Sequence, residues 1–276
     1  MRSYGAVTVI NAIPCGIGAT VGIDLVTKAK FSVGGSGKRV KIVNDLHEND
    51  EMARICVKNT FQHFQTEEPN DWILSIDSQI PISRGLKSSS SACNAVISSV
   101  ANVISQNRVI EYDIMDIIRL GVKCAREAEV TVTGAFDDAC GCHLGGFVMT
   151  DNERDDLMIR KDVEENDVIL LVPEEKIRKH SLDRERFYAI SDASRELIKI
   201  AEKDWRPALT KNGELISKIV GTDDRIARKA MNMGAFAAGV SGTGPAISVI
   251  IGKGDGASFL RDLDAVGYET IVTRTR

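Results

Sequence analysis

Three short stretches hold residues whose types and spacing suit phosphate and proton chemistry. The first is GLKSSSSA, Gly85–Ala92, where four consecutive serines follow Gly-Leu-Lys. Beyond them Ala92, Val96, Val100 and Val103 recur at helical spacing, so the serines open a helix behind a glycine-bearing loop. A helix N-terminus offers unpaired N–H groups and the positive end of the helix dipole, which suits an anion. Ser88, Ser89, Ser90 and Ser91 add hydroxyls for phosphate oxygens or for a phosphate-bound Mg²⁺, and Lys87 adds charge. Plain capping is the alternative, and it needs one serine rather than four. The stretch lacks the longer glycine loop of a Walker motif.

The second stretch is GAFDDACGCHLGG, Gly134–Gly146. Asp137 and Asp138 stand there among small and apolar residues, where one carboxylate could take a proton from a hydroxyl. A turn or cap is the alternative. Upstream, Glu127 borders the apolar face of its helix and suits a cation or metal partner, or else a surface pair with Arg126 or Lys123. The third stretch is GVSGTGPA, Gly239–Ala246, which reads as a second backbone clamp or as a tight β-turn. The CGCH run, Cys140–His143, has no second Cys/His pair at zinc spacing and reads as buried small residues.

These residues need a frame. A chain of 276 residues makes one large domain or two lobes. The formal charge of −4 argues against a nucleic-acid binder. No apolar run is long enough to cross a bilayer, and MRSYGAVTVINAI lacks a signal-peptide layout. Six scattered cysteines read as reduced thiols, so a cytoplasmic setting is expected. Strands are expected from Tyr4, over VGIDLVTKAKFSV and over KRVKIVN, the last two joined by Gly34–Gly37 as a hairpin turn. A helix with Met52, Ile55, Val57, Thr60 and Phe64 on its apolar side follows, then the strand DWILSIDSQIPIS, stopped at Pro81. Asp113 caps a helix running to about Glu129, and a polar-to-small segment then ends in a strand. The second half reads strand, charged helices, strand, short helix, strand, an α+β lobe with helices on one side. The charged stretch near Asp151 divides residues 1–150 from 151–276.

Together these motifs resemble the GHMP kinase superfamily, whose phosphate loop reads Pro-x-x-x-Gly-Leu-Gly-Ser-Ser-Ala. Pro81, Gly85, Leu86, Ser88 and Ser89 match it, and Lys87 stands where the family has glycine. Asp138 lies seven residues before Gly145–Gly146, the register of the family base, and Glu127 lies eleven before Asp138, the register of its Mg²⁺ ligand. Gly239, Ser241, Gly242, Gly244 and Pro245 match the third motif. GLKSSSSA, TVTGAFDDA and NAIPCGIGATVGIDL are similar to the archaeal-type shikimate kinases within that superfamily. Mevalonate kinases carry a base-supporting lysine at the place of Cys15, so that role is absent here or filled otherwise, with Lys87 and Arg84 as candidates.

The resemblance implies an α+β, two-lobed fold: an N-terminal lobe like the second domain of ribosomal protein S5 and a ferredoxin-like C-terminal lobe. It implies phosphoryl transfer from ATP to the 3-hydroxyl of shikimate, in the pathway to chorismate and the aromatic amino acids. Pro81 and Gly85–Ser91 would hold the phosphates with Gly242 and Gly244, Glu127 and Ser88 or Ser89 would hold Mg²⁺, and Asp138 would accept the proton. Rival readings are homoserine kinase, whose family usually has Asn at the place of Asp138, mevalonate kinase, a diphosphocytidyl-methylerythritol kinase, and a non-catalytic nucleotide or metabolite sensor. The oligomeric state and the residues that grip the substrate carboxylate are not read from the sequence.

Overall fold

A computed structural model describes residues 1–43, 49–131, 133–174 and 183–276, save the side chain of residue 107. The first sheet is built on one long strand. β2 (Ile17–Val33) pairs antiparallel with β1 (Arg2–Ile10), β4 (Trp72–Ser78) and β5 (Phe147–Asp151), and β6 (Asp156–Lys161) extends the sheet beyond β5. The expected β2–β3 hairpin does not form. β3 (Lys38–Ile42) pairs with β4 in parallel, and β4 lies between β3 and β2. The parallel pair is reached through helix α1 (Glu51–His63), the crossover that parallel neighbours require.

Helix α2 (Ser88–Asn107) lies on this sheet and carries α1 and α3 (Ile114–Glu127). Their shared core holds Phe31, Trp72, Cys93, Val96, Ile97 and Val100. α1 buries Ala53, Cys56, Val57, Thr60 and Phe61, so its inward face is turned from the expected one; Met52, Ile55 and Phe64 pack at its border. α3 starts as expected, with Asp113 and Asp116 forming a reciprocal capping box. The segment after it contains a helix that the sequence pattern did not signal. α4 (Phe136–Leu144) enters from Ala135 in a left-handed conformation and buries both aspartates in its first turn.

The β5–β6 hairpin carries the chain past the charged stretch at Asp151 and back onto the first sheet, and the second sheet starts only at β7 (Asp167–Val172). That sheet runs β10 (Glu269–Arg274), β7, β9 (Ile247–Ile251), β8 (Ala237–Val240), antiparallel throughout. Helices α5 (Arg184–Tyr188), α6 (Ser191–Ala201), α7 (Trp205–Val220) and α8 (Arg225–Asn232) stand between β7 and β8, and α9 (Gly256–Leu263) between β9 and β10. Successive strand residues face opposite ways. Val168 and Leu170 join a core with Val7, Val21 and Phe147 of the first sheet, while Ile169 and Leu171 join Phe187, Ile216 and Leu263. The two sheets therefore share a core, and the glycine-rich turn between β8 and β9 is brought against β1.

Candidate active site

The serine loop is anchored from below. Leu86 is 1% exposed and packs in the core shared by the two sheets. Gly85 has φ +85° and lies so close to the Ser241 carbonyl that a Cβ would overlap it. The two glycine-rich stretches are thus one structure. Ser241 Oγ donates to the Gly85 carbonyl at 2.9 Å and accepts from the Thr8 N–H at 3.0 Å. The Gly242 N–H donates to Thr8 Oγ1 at 2.8 Å, and Asn11 Nδ2 donates to the Gly242 carbonyl at 3.0 Å. Gly239–Ala246 is therefore more than an isolated turn: it clasps the serine loop to β1.

The four serines have different positions. Ser91 closes the first helical hydrogen bond, to the Lys87 carbonyl at 3.0 Å, and its fully buried hydroxyl has no hydrogen-bond partner among the described residues. Ser90 is nearly buried. Ser88 and Ser89 are half-buried at the mouth of the helix. The N–H groups of Ser88, Ser89 and Ser90 precede the first helical acceptor and stay open by helix geometry. The side chain at the N-cap, Lys87, does not cap them. Plain capping therefore does not account for the run.

Lys87 holds the junction together. It occupies the N-cap position with φ +69°, a left-handed backbone that suits the glycine of the resembled motif. Its ammonium meets Asp138 Oδ1 at 2.9 Å, with the two side chains only 7% and 10% exposed. Burial pulls the Lys87 pKa down, but the charges of Asp138 and Asp137 outweigh it, and the net direction is up. The cation beside Asp138 thus comes from the serine loop, not from the position of Cys15. Arg84, the other candidate, donates to the Glu174 carbonyl at 2.6 Å.

The adjacent carboxylates diverge. Asp137 is gripped by Asn152, whose Nδ2 donates to its Oδ1 at 2.7 Å and whose Oδ1 accepts from its N–H at 3.1 Å. Its side chain also lies flat on Gly18, where any Cβ would strike it. Burial, with the Asp138 charge second, pushes Asp137 up to about 6. Asp137 therefore fixes the first turn of α4, and Asp138 faces Lys87. Asn152 belongs to the charged stretch at Asp151, yet it is 2% exposed and takes its role from the fold.

Glu127 ends α3 with its side chain exposed, and it accepts from Asn59 Nδ2 at 2.7 Å rather than pairing with Arg126. Arg126 instead grips Asp155 with both terminal nitrogens, at 2.7 and 2.8 Å. Cys140 packs with Ile118, Phe136 and Val148, and Cys142 Sγ lies 3.8 Å from the Lys87 carbonyl. Among the described residues no group of three or more His, Cys, Asp or Glu gathers to hold a metal, and no helix is long and apolar enough to cross a membrane. Beside the acidic turn opens a cavity of about 720 Å³, walled by Pro14–Gly16, Thr133, Gly134, Asn152 and Glu153 and, from the helices after β7, by Tyr188 and Arg195.

This architecture is that of known small-molecule kinases. Mevalonate kinase of Methanococcus jannaschii superposes with TM-score 0.80 over 100% of this chain and 98% of its own, at 18% identity. Homoserine kinase of Cytophaga hutchinsonii gives 0.74 over 100% and 94%, at 15% identity. The model of the GHMP kinases N terminal domain matches residues 51–146, the span that carries the serine loop, Glu127 and Asp138. Among relatives in sequence, the shikimate kinase of Pyrococcus furiosus is 36% identical over 282 residues, 100% of both chains. Those of Pyrococcus abyssi and Methanothrix thermoacetophila are 36% and 35% identical, covering 90% and 98% of this chain and 90% and 91% of theirs. The chain belongs to the family of these archaeal shikimate kinases, within the GHMP kinases.

Proposed function

We propose that the protein transfers the γ-phosphoryl group of ATP to the 3-hydroxyl of shikimate, in the cytoplasm. The observation that carries the catalytic part of this reading is the Lys87–Asp138 contact. It joins the phosphate loop to the carboxylate that stands in the register of the family base. The substrate is carried by the sequence relatives, all three of which bear the name shikimate kinase. The likeness to mevalonate and homoserine kinases, at 18% and 15% identity, is one of fold.

In this reading the open N–H groups of Ser88–Ser90 and the positive end of α2 receive the β- and γ-phosphates. Gly85 and Gly242 let the two glycine-rich turns close on each other, with Gly244 beside Gly85, and Pro81 would complete the loop. Ser88 and Ser89, half-buried at the mouth of α2, carry hard hydroxyl oxygens of the kind Mg²⁺ takes, and one of them with the Glu127 carboxylate would hold the ion. Bound there with ATP, the ion would neutralise charge on the transferring phosphoryl group. Asp138 Oδ1 is held by Lys87, which fixes the carboxylate while it accepts the proton of the acceptor hydroxyl. Lys87 also lies beside Gly242, so its ammonium stands between the base and the clasp of the phosphate loop.

Asp138→Asn tests the reading. It keeps the shape and removes the proton acceptor, so kcat is expected to fall about a hundredfold or more with the KM for ATP little changed. A fully active Asp138→Asn alongside an inactive Asp137→Asn would move the base to Asp137 and refute the assignment.

A further inference from the structure

Shikimate is a carboxylate, so an enzyme of the proposed function needs a cation at the acceptor end of its site. The 720 Å³ cavity beside the acidic turn offers two arginines, Arg126 and Arg195. Their surroundings separate them. Arg126 is engaged: it forks onto Asp155 at 2.7 and 2.8 Å, reaches the Asn152 carbonyl at 3.3 Å, and lies against Gly134. A guanidinium so committed is a wall of the cavity. Arg195 projects from α6 and, among the described residues, meets one carboxylate, Asp192 of its own helix, through a single nitrogen at 3.0 Å. Asp192 is fully exposed, and such i,i+3 surface pairs are weak and exchange readily.

The lining around Arg195 suits the rest of a polyhydroxylated acid. Cys15, Gly16 and Glu153 line the cavity together with Arg195, and Glu153 lies against Gly16. Asn152 and Gly134 line the same cavity, and Asn152 holds Asp137 of the acidic turn at 2.7 Å. A cavity with a lightly engaged arginine in its lining and the acidic turn beside it suits a ring that bears both a carboxylate and a reactive hydroxyl.

From this we infer that Arg195 anchors the acceptor's carboxylate and sets the enzyme's preference for an acid over its neutral derivatives. Its planar fork matches a carboxylate in a way that a lysine ammonium does not. This rests on the shikimate reading above.

The test compares shikimate with its methyl ester, which keeps the ring hydroxyls and removes the charge. The unsubstituted enzyme is expected to favour the acid by roughly thirtyfold or more in kcat/KM, the range of a charge-assisted contact. Arg195→Gln should abolish that preference by raising the KM for the acid, leave use of the ester and the KM for ATP near those of the unsubstituted enzyme, and keep the same thermal midpoint. Arg195→Lys should recover part of the preference. If Arg195→Gln keeps the acid–ester ratio, or loses acid and ester equally, the inference is overturned. A preference that disappears only in Arg126→Gln would assign the carboxylate to the other arginine and equally overturn it. Failure of the unsubstituted enzyme to use shikimate at all would instead overturn the parent reading.

Discussion

Lys87→Met removes the ammonium from a nearly closed site and leaves the backbone position and side-chain volume close to unchanged. The lost partner stands 2.9 Å from Asp138. Breaking a buried ion pair from one side costs about 3–5 kcal/mol, because the remaining charge keeps its desolvation cost without its attraction. The cost depends on pH through Asp137. Its folded pKa is raised, from the ordinary 3.8 to about 6, so between those values the folded state holds the proton that the unfolded state releases. Stability therefore falls as pH rises through that window, by about 3 kcal/mol for a shift of two units, and stays lowered above it. The Lys87 charge holds this pKa down. Without it the Asp137 pKa rises further, and the falling region extends above pH 6. At pH 5 Asp137 can hold its proton at little cost, and at pH 8 it holds one only at a cost. The stability difference between the unsubstituted protein and Lys87→Met should thus widen from pH 5 to pH 8, by about 1.4 kcal/mol per unit in which one extra proton is held. Urea unfolding of both proteins at several pH values measures it, with effects common to both cancelling in the difference. A difference that stays constant within about half a kcal/mol, or a variant as stable as its parent at pH 8, would refute the electrostatic account of the junction.

Two further substitutions probe the phosphate loop. Ser89→Ala should raise the KM for Mg·ATP and lower kcat with little change in the KM for the acceptor; unchanged ATP kinetics would remove Ser89 from the site. Gly85→Ala puts a Cβ into the Ser241 carbonyl at a left-handed backbone position, where backbone faces backbone and neither yields easily. A stability loss of about 2 kcal/mol or more is expected, with loss of activity, measured by denaturant midpoint and by ADP formation.

The parts of the site that depend on local sequence were legible before the fold. The serine run is a helix start because serine is a poor helix interior residue and the apolar period begins directly after it. Asp113 announces α3 by the same capping logic. What escaped the sequence depends on tertiary context. α4 is short and built from Asp, Cys and Gly, residues of modest helix propensity, and the surrounding core forms it. Gly34–Gly37 has the composition of a hairpin turn, and nothing local records that β4 takes the place beside β2. The β5–β6 turn carries charges as a linker would, which hid Asn152, the residue that orients the acidic turn. Lys87 was visible as a charge replacing a glycine, but its partner lies on another helix and emerges only when α2 and α4 pack together.

ADP formation by the purified protein with Mg·ATP, assayed in parallel against shikimate, homoserine, mevalonate and galactose, tests the central claim most directly. Turnover with shikimate alone is the expected result, with one ADP released per 3-phosphate formed. Turnover with another of these acceptors and none with shikimate would keep the phosphate loop and the Asp138 base and contradict the substrate. ATP binding without turnover of any acceptor would contradict the account of the protein as a shikimate kinase.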